Sequence, residues 1–205
     1  MRKFLKIVGI ILLVLLAIIL ISSIIIFIKA KSWENSFESN IESAYLVTSF
    51  QESNDLLNEK TEKYILSDKP VDFIEFSPAE ISQFLYNALS EMTTDTGITI
   101  VGVYSDPGEN IWQECASLRS NNRKNLELWI CMDVTKDNMQ TAQLYVNNIT
   151  LEGLDIDKIY PDILTKINQG IAEALVTANE NAFVGRTLEN MELKEDRLII
   201  KGSQY

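Results

Sequence analysis

Residues 76–93, FSPAEISQFLYNALSEMT, are followed closely by residues 97–104, GITIVGVY, and this change of pattern decides the fold class. Ser77 is a predicted helix N-cap, Pro78 begins the first turn, and Glu80 completes a capping box. Apolar residues then recur with the spacing of a one-sided helix: Ile81, Phe84, Leu85, Ala88 and Leu89. The second stretch is rich in β-branched residues, which favour strands. The sequence therefore predicts an α+β fold.

The rest of the chain continues this mixture of strands and helices. We expect the turn Asp106-Pro107-Gly108 to end the first strand. A phase change between Val146 and Ile149 predicts a bulge near Asn147 and Asn148. Further predicted elements are strands 111–118, 126–134 and 141–156, an amphipathic helix over about 160–179, and a closing hairpin of 186–193 with 197–201. Together they predict an antiparallel sheet packed on two amphipathic helices.

The strand 126–134 alternates between apolar and mixed positions. Its apolar face is predicted to be buried throughout, and consists of Leu126, Leu128, Ile130, Met132 and Val134. In a hairpin with strand 111–118, directly opposed residues have a constant sum of residue numbers. The register that opposes Cys115 and Cys131 centres the turn in the polar stretch 119–125, and places both cysteines on the mixed face.

Two exposed, neighbouring thiols in an exported domain are expected to oxidise, so the sequence predicts an exposed Cys115–Cys131 disulfide. The alternative is a pair of unbonded, buried thiols in a cytoplasmic domain. The predicted bond therefore bears on localisation as well as on stability.

The N-terminal region contains an uncharged apolar run of 22 residues, Ile7 to Ile28. At about 1.5 Å per residue this run is long enough to cross a hydrocarbon core of about 30 Å. A cleavable signal peptide, with its shorter apolar stretch, is the alternative. We predict an uncleaved single-pass transmembrane helix, with Trp33 in an interfacial collar.

The basic residues beside the apolar run predict the orientation of the transmembrane helix. Arg2, Lys3 and Lys6 precede the apolar run, and the positive-inside rule places them in the cytoplasm and the C-terminal domain outside the plasma membrane.

The sequence predicts three segments, which are a cytoplasmic tip and anchor (1–31), a membrane-proximal helix or stalk (32–69) and a globular domain (70–205). A partly disordered linker is the alternative for the stalk.

Composition excludes several classes of function. The residues after Lys31 carry a formal charge of −16, which disfavours binding to nucleic acid. The absence of histidine removes the usual catalytic bases and imidazole metal ligands. No glycine spacing matches a nucleotide-binding loop. We predict no metal, no cofactor and no enzymatic activity, and interpret Asp155 and Asp157 as solvated surface.

The order of elements resembles the small membrane-anchored YpmS-like proteins of Gram-positive bacteria and, more distantly, bacterial tubular lipid-binding (TULIP-like) domains. The resemblance covers about residues 70–203 and is closest in Phe76 to Leu89, in 188–193 and in 197–200. It concerns pattern and order, so no functional residue is transferred.

The resemblance implies a curved antiparallel sheet wrapped around a long helix, with an apolar groove between them that can hold an acyl chain or another lipid. The candidate groove residues, for which plain core packing is the alternative, are Ile81, Phe84, Leu85, Leu128, Ile130, Met132, Ile167, Ile171 and Leu175. We therefore expect a non-enzymatic envelope module that binds a lipid or another hydrophobic ligand. The second hypothesis is a cell-envelope scaffold that binds a protein partner through its stalk.

Overall fold

The fold is described from a computed structural model of the chain. It describes residues 2–51, 55–121, 126–136, 142–177 and 186–204. In the first range the side chains are described from residue 18 onward, and in the second range from residue 59 onward. These residues form four helices and nine strands. The helices are α1 (Arg2–Asn40), α2 (Asp55–Ile65), α3 (Pro78–Thr93) and α4 (Asp162–Thr177). The strands are β1 (Leu46–Val47), β2 (Val71–Phe76), β3 (Ile98–Gly108), β4 (Ile111–Ser120), β5 (Glu127–Thr135), β6 (Tyr145–Leu151), β7 (Leu154–Asp155), β8 (Arg186–Leu193) and β9 (Leu198–Gln204).

The chain divides into two compact units, residues 1–40 and residues 41–205. The first unit is α1, in which the rings of Trp33 and Phe37 stack 4.8 Å apart. In the part of the chain that the structure describes, no helix combines the length and the apolar character needed to cross a bilayer. The side chains at positions 7–17 of the predicted span lie outside the described residues.

The segment predicted as one stalk, residues 32–69, has a different structure. Helix α1 ends at Asn40, and Leu46 and Val47 form a strand that pairs with Tyr104 and Val103 of β3. Helix α2 follows as a separate helix of the second unit. The prediction of one helix was wrong here because pairing with a strand that lies far away in sequence overrides a loosely periodic polar pattern.

The larger sheet has the strand order β1-β3-β4-β5-β6-β7 and all its pairs are antiparallel. The predicted hairpin register is confirmed, since Cys115 opposes Cys131 and Ala116 opposes Ile130. The turn predicted at residues 106–108 was placed too early. Strand β3 continues until Gly108 pairs with Ile111, and Asn110 takes a left-handed φ of 62° in the turn.

The predicted bulge is confirmed: Asp133 pairs with Asn148 and Val134 with Val146, which leaves Asn147 as the extra residue. The single long strand predicted over 141–156 was wrong. Glu152 and Gly153 have φ values of 50° and 69° and reverse the chain between β6 and β7. The Glu152 carboxylate accepts a bond from the Trp129 backbone N–H at 2.6 Å, which anchors this turn to the sheet.

The closing hairpin belongs to a second, three-stranded sheet with the order β2-β9-β8. Strand β2 was not predicted. Between this sheet, β4 and α2 lies the main hydrophobic cluster of buried side chains, which contains Tyr64, Ile74, Phe76, Trp112, Leu188, Leu193, Leu198 and Ile200. The α+β class with antiparallel sheets is therefore confirmed, but the strands form two sheets rather than one.

Candidate functional site

Helix α3 is fixed at its N-terminus by the predicted capping box. The Glu80 backbone N–H donates to Ser77 Oγ, and the Ser77 backbone N–H donates to the Glu80 carboxylate at 2.8 Å. Lys60 of α2 also donates to the Glu80 carboxylate, at 2.6 Å and 2.8 Å. The start of the helix is thus held both locally and by a neighbouring element.

The two flanks of α3 differ in polarity and in what covers them. On one flank Gln83 donates to the carbonyl of Ser49 and Asn87 to that of Gln51, so the segment before α2 covers this side. The other flank carries the apolar stripe of the helix. Within that stripe Phe84 is 53% exposed and Met92 is 75% exposed. This apolar flank therefore borders open space.

An apolar cleft with a volume of about 180 Å³ lies under this flank. Leu85 and Leu89 of α3 form one wall, and the central strands of the larger sheet form the floor. Glu114 is the one charged residue among those that form the floor, which are Val103, Glu114, Cys115, Ala116, Leu118, Ile130 and Met132. A dry apolar cavity of about 150 Å³ holds a benzene molecule, so this cleft has room for a short stretch of an alkyl chain.

The packing of the helices explains why the cleft exists. Helix α3 packs mainly on β3 and β1, whereas α4 packs on β6. The strands between them, β4 and β5, supply most of the floor. At one end of the cleft face, Ile81 of α3 and Leu175 of α4 both pack against the main cluster that contains Trp112. The two helices therefore cover the margins of the sheet face and leave its centre open.

The structure brings together three of the nine candidate groove residues, since Leu85, Ile130 and Met132 line the cleft. Ile81 and Leu175 pack against the main cluster instead. Phe84 is exposed. The other three are half-buried and are not among the cleft-lining residues: Leu128, Ile167 and Ile171.

The prediction that the apolar face of β5 is buried throughout was wrong. Leu126 is 41% exposed, and the side chains from Leu128 to Val134 on that face are only half-buried. On the mixed face Trp129 and Cys131 are only 6% and 2% exposed. The physical reason is the position of the helices, which pack on the strands at either side of β4 and β5.

Glu114 is the functional candidate that sequence reasoning missed. The residue lies in the floor of the cleft but is only 8% exposed, and almost none of the cleft surface is polar, so its carboxyl contributes almost nothing to that surface. Ser82 of α3 donates to Ser105 of β3 at 2.9 Å, and Ser105 donates to the Glu114 carboxyl at 2.6 Å. Burial raises the pKa of Glu114 to about 8, although the bond from Ser105 opposes this shift. At neutral pH the carboxyl is therefore mostly protonated and neutral.

A sequence signal for Glu114 existed in the alternation of β4. Trp112, Glu114, Ala116 and Leu118 share one face of the strand. The register predicted from the two cysteines opposes Glu114 with Met132, on the apolar face of β5, as the structure shows. A single carboxylate on an otherwise apolar face marks either a buried polar network or a binding position.

The predicted disulfide is present. Cys115 and Cys131 are bonded, with their Cα atoms 4.0 Å apart. They are 1% and 2% exposed, so the expectation of an exposed pair was wrong. Neighbouring side chains cover them, because residues in central strands have a partner on both sides: Tyr104 opposes Cys115, and Thr150 opposes Cys131.

Among the residues that the structure describes, no group of three or more Cys, Asp or Glu side chains is arranged to hold a metal ion. Comparisons with known proteins identify no relative: no family profile, no curated protein and no solved structure matches the chain. The cleft and the sequence are therefore the features of this protein that bear on its function.

Proposed function

We propose that this protein is a membrane-anchored, extracytoplasmic, non-enzymatic module that binds a lipid or another hydrophobic ligand in the cleft beside α3. The observation that carries this proposal is the open apolar floor of β4 and β5 next to the exposed apolar flank of α3. Apolar surface left open to water favours an apolar occupant, because about 25 cal/mol is gained for each Å² that the occupant covers.

One feature of the sequence and one of the structure support the anchor and the exported location. The apolar run from Ile7 to Ile28 contains no charge and is preceded by Arg2, Lys3 and Lys6. The Cys115–Cys131 disulfide also supports export, because disulfides persist in oxidising compartments. A relationship with YpmS-like or TULIP-like proteins is part of the same proposal, and its support is the pattern of elements alone.

The scaffold hypothesis has less support from the structure. It requires a free helical stalk over residues 32–69 as the partner-binding surface. Residues from Ile41 onward belong to the second compact unit, and Leu46 and Val47 are paired with β3. We therefore rank lipid binding first.

Photocrosslinking in membranes tests the proposal with the full chain. Membranes that contain the protein are loaded with a diazirine-bearing fatty acid and irradiated, and the labelled residues are mapped by peptide mass spectrometry. We expect label on Leu85, Leu89, Ile130 or Met132, in addition to label in residues 7–28. Label confined to residues 7–28 would overturn the proposal.

A matched pair of variants sharpens this experiment. Ala116 lies on the cleft floor, so Ala116→Leu fills part of the cavity and is expected to reduce cleft labelling at least fivefold. Ala174→Leu makes the same change at an exposed position of α4 and leaves labelling unchanged. In both variants, the label in residues 7–28 provides the internal standard.

A further inference from the structure

The apolar surface of the cleft continues to the end of the larger sheet at which β3 and β5 begin and β4 ends. Three exposed apolar residues at this end, Met92 of α3, Ile98 of β3 and Leu126 just before β5, form what we call the apolar rim. We propose that the apolar rim docks in the interface of a lipid bilayer and is the entrance through which an acyl chain reaches the cleft. This inference rests on the proposed function, because it assigns the route by which the ligand of the same cleft arrives.

The first argument is that the apolar rim continues both the wall and the floor of the cleft. On α3, Met92 lies three residues after the cleft-lining Leu89, and residues at this spacing are neighbours on a helix surface. On the floor, the cleft-lining Leu118 opposes Leu128, and Leu126 lies two residues before Leu128. Side chains two residues apart in an extended chain share a face. An acyl chain that enters at the rim therefore stays on apolar surface until it reaches the cleft.

Strand pairing brings the two sheet residues of the rim together. Ile98 opposes Ser120 of β4, and Arg119 opposes Glu127, the residue that follows Leu126. Ile98 and Leu126 thus lie on either side of the same end of β4, about 10 Å apart at the usual strand spacing. Single exposed apolar residues are common on protein surfaces, whereas a group that extends an open apolar cleft indicates an interaction site.

The second argument is the charge around the rim. In the sequence, residues 117–126 contain three basic residues and no acidic one, although the residues after Lys31 carry a formal charge of −16. These basic residues offset the three acidic residues that lie beside the rim residues in the sequence, Glu91, Asp95 and Glu127. This end of the sheet is therefore close to neutral. A bilayer surface that contains anionic lipid repels it less than it repels the rest of the acidic domain.

The third argument is the permanent presence of a bilayer. Residues 29–40 separate the apolar run 7–28 from the second compact unit, which begins at Ile41. Even fully extended, these 12 residues span at most about 43 Å. The proposed anchor therefore tethers the second unit close to the bilayer. A lipid surface is always within reach of the rim, whereas a soluble partner first has to encounter it.

A depth measurement on the full chain, in vesicles of phosphatidylcholine and phosphatidylglycerol, tests the docking. Both cysteines of the chain are in the disulfide, so a single introduced cysteine can be labelled with an environment-sensitive fluorophore. The rim variants are Met92→Cys and Leu126→Cys, and Ile111→Cys, an exposed position at the opposite end of the sheet, is the matched control. We expect a nitroxide on the lipid acyl chains to quench both rim labels about threefold more strongly than the control label, because an inserted apolar residue reaches the boundary of the acyl region.

Two results would overturn the docking. Equal quenching of the labels at positions 92, 126 and 111 would show that the bilayer does not prefer the rim. Protection of the rim labels from aqueous iodide, without quenching by the lipid nitroxide, would place a protein over the rim instead of a bilayer. In either case, cleft labelling by the diazirine-bearing fatty acid would leave the proposed function standing, whereas its absence would overturn the proposed function as well.

The rate of loading tests the role of the rim as an entrance. Ile98→Thr/Leu126→Thr makes the rim more polar with a residue type that suits strands, and leaves the cleft-lining residues unchanged. We expect this variant to slow cleft labelling by the fatty acid about tenfold, while the final extent of labelling stays at the wild-type level. Val71→Thr/Ile111→Thr replaces two exposed apolar residues away from the rim and should load as wild type does. Loading of the rim variant at the wild-type rate would overturn the inference.

Discussion

The side-chain amide of Asn168 forms two hydrogen bonds with the backbone of Val146, in the way that a neighbouring strand would. Its Oδ1 accepts from the Val146 N–H at 2.7 Å, and its Nδ2 donates to the Val146 carbonyl at 2.9 Å. Among the residues that the structure describes, β7 pairs with β6 only at Thr150 and Leu151, and no strand pairs with Val146 on that side. Asn168 therefore completes the hydrogen bonding of the β6 edge and attaches α4 to it.

Asn168→Ala should lower the free energy of unfolding by about 2–3 kcal/mol, because it leaves two backbone groups of the buried Val146 without partners. Urea denaturation followed by circular dichroism measures this loss. The neighbouring exposed variant Gln169→Ala is the control and should change stability by less than about 0.5 kcal/mol. Equal effects of the two substitutions would show that the Asn168 hydrogen bonds contribute no more to the free energy of unfolding than an exposed side chain does.

The Cys115–Cys131 disulfide joins residues 16 positions apart. Closure of a loop of this length restricts the unfolded chain and should contribute about 3 kcal/mol. Reductant should therefore shift the denaturation midpoint of the wild type to lower urea. The double variant Cys115→Ala/Cys131→Ala should start at the lower midpoint and should not respond to reductant.

Glu114 should make the wild-type protein less stable as pH rises. Folding raises the pKa of this carboxyl from 4.5 to about 8, so between these values the folded state binds more protons than the unfolded state. Protonation of Glu114 therefore makes its full contribution to the free energy of unfolding below about pH 4.5. This contribution is lost as the pH rises towards 8, by up to about 1.4 kcal/mol per pH unit.

Glu114→Gln should remove this component and make the protein more stable than wild type at pH 8. Urea midpoints at pH 5.5 and pH 8 measure it. Glu195→Gln, at an exposed site, is the control for the loss of one negative charge. If wild type and Glu114→Gln showed parallel pH profiles, the carboxyl would already be ionised in the folded protein.

Two glycine-to-alanine substitutions should have opposite effects on stability. At Gly202 in β9, an added Cβ would overlap the Tyr64 hydroxyl and the Thr187 carbonyl. Gly202→Ala should therefore destabilise the fold by about 1–3 kcal/mol or more. At Gly170 in α4 nothing lies within 4 Å of an added Cβ, so Gly170→Ala should stabilise it by up to about 1 kcal/mol. Thermal denaturation compares both variants with wild type.

The features that the sequence predicted well are local ones. The capping box at Ser77, the bulge at Asn147 and the Cys115–Cys131 register each depend on residues within one element or one hairpin. The pairing of β2 with β9 was missed because it joins segments more than 100 residues apart, such as Phe76 and Leu198. Local pattern contains little information about such pairing.

The candidate site was only partly predictable for a related reason. Periodicity identified Leu85, Ile130 and Met132 as members of apolar faces, and these residues line the cleft. It could not show which parts of those faces the helices leave uncovered, because that depends on where α3 and α4 pack. Glu114 was missed because its role arises from Ser82 and Ser105, which lie on two other elements.

The disulfide has a further consequence for how the cleft adapts to an occupant. The residues on either side of Cys115 and Cys131, namely Glu114, Ala116, Ile130 and Met132, all line the cleft. The covalent bond therefore holds β4 and β5 together beneath the cleft. The cleft can widen through rotamer changes of Leu85 and Leu89 or through outward displacement of α3, but not through separation of the floor strands.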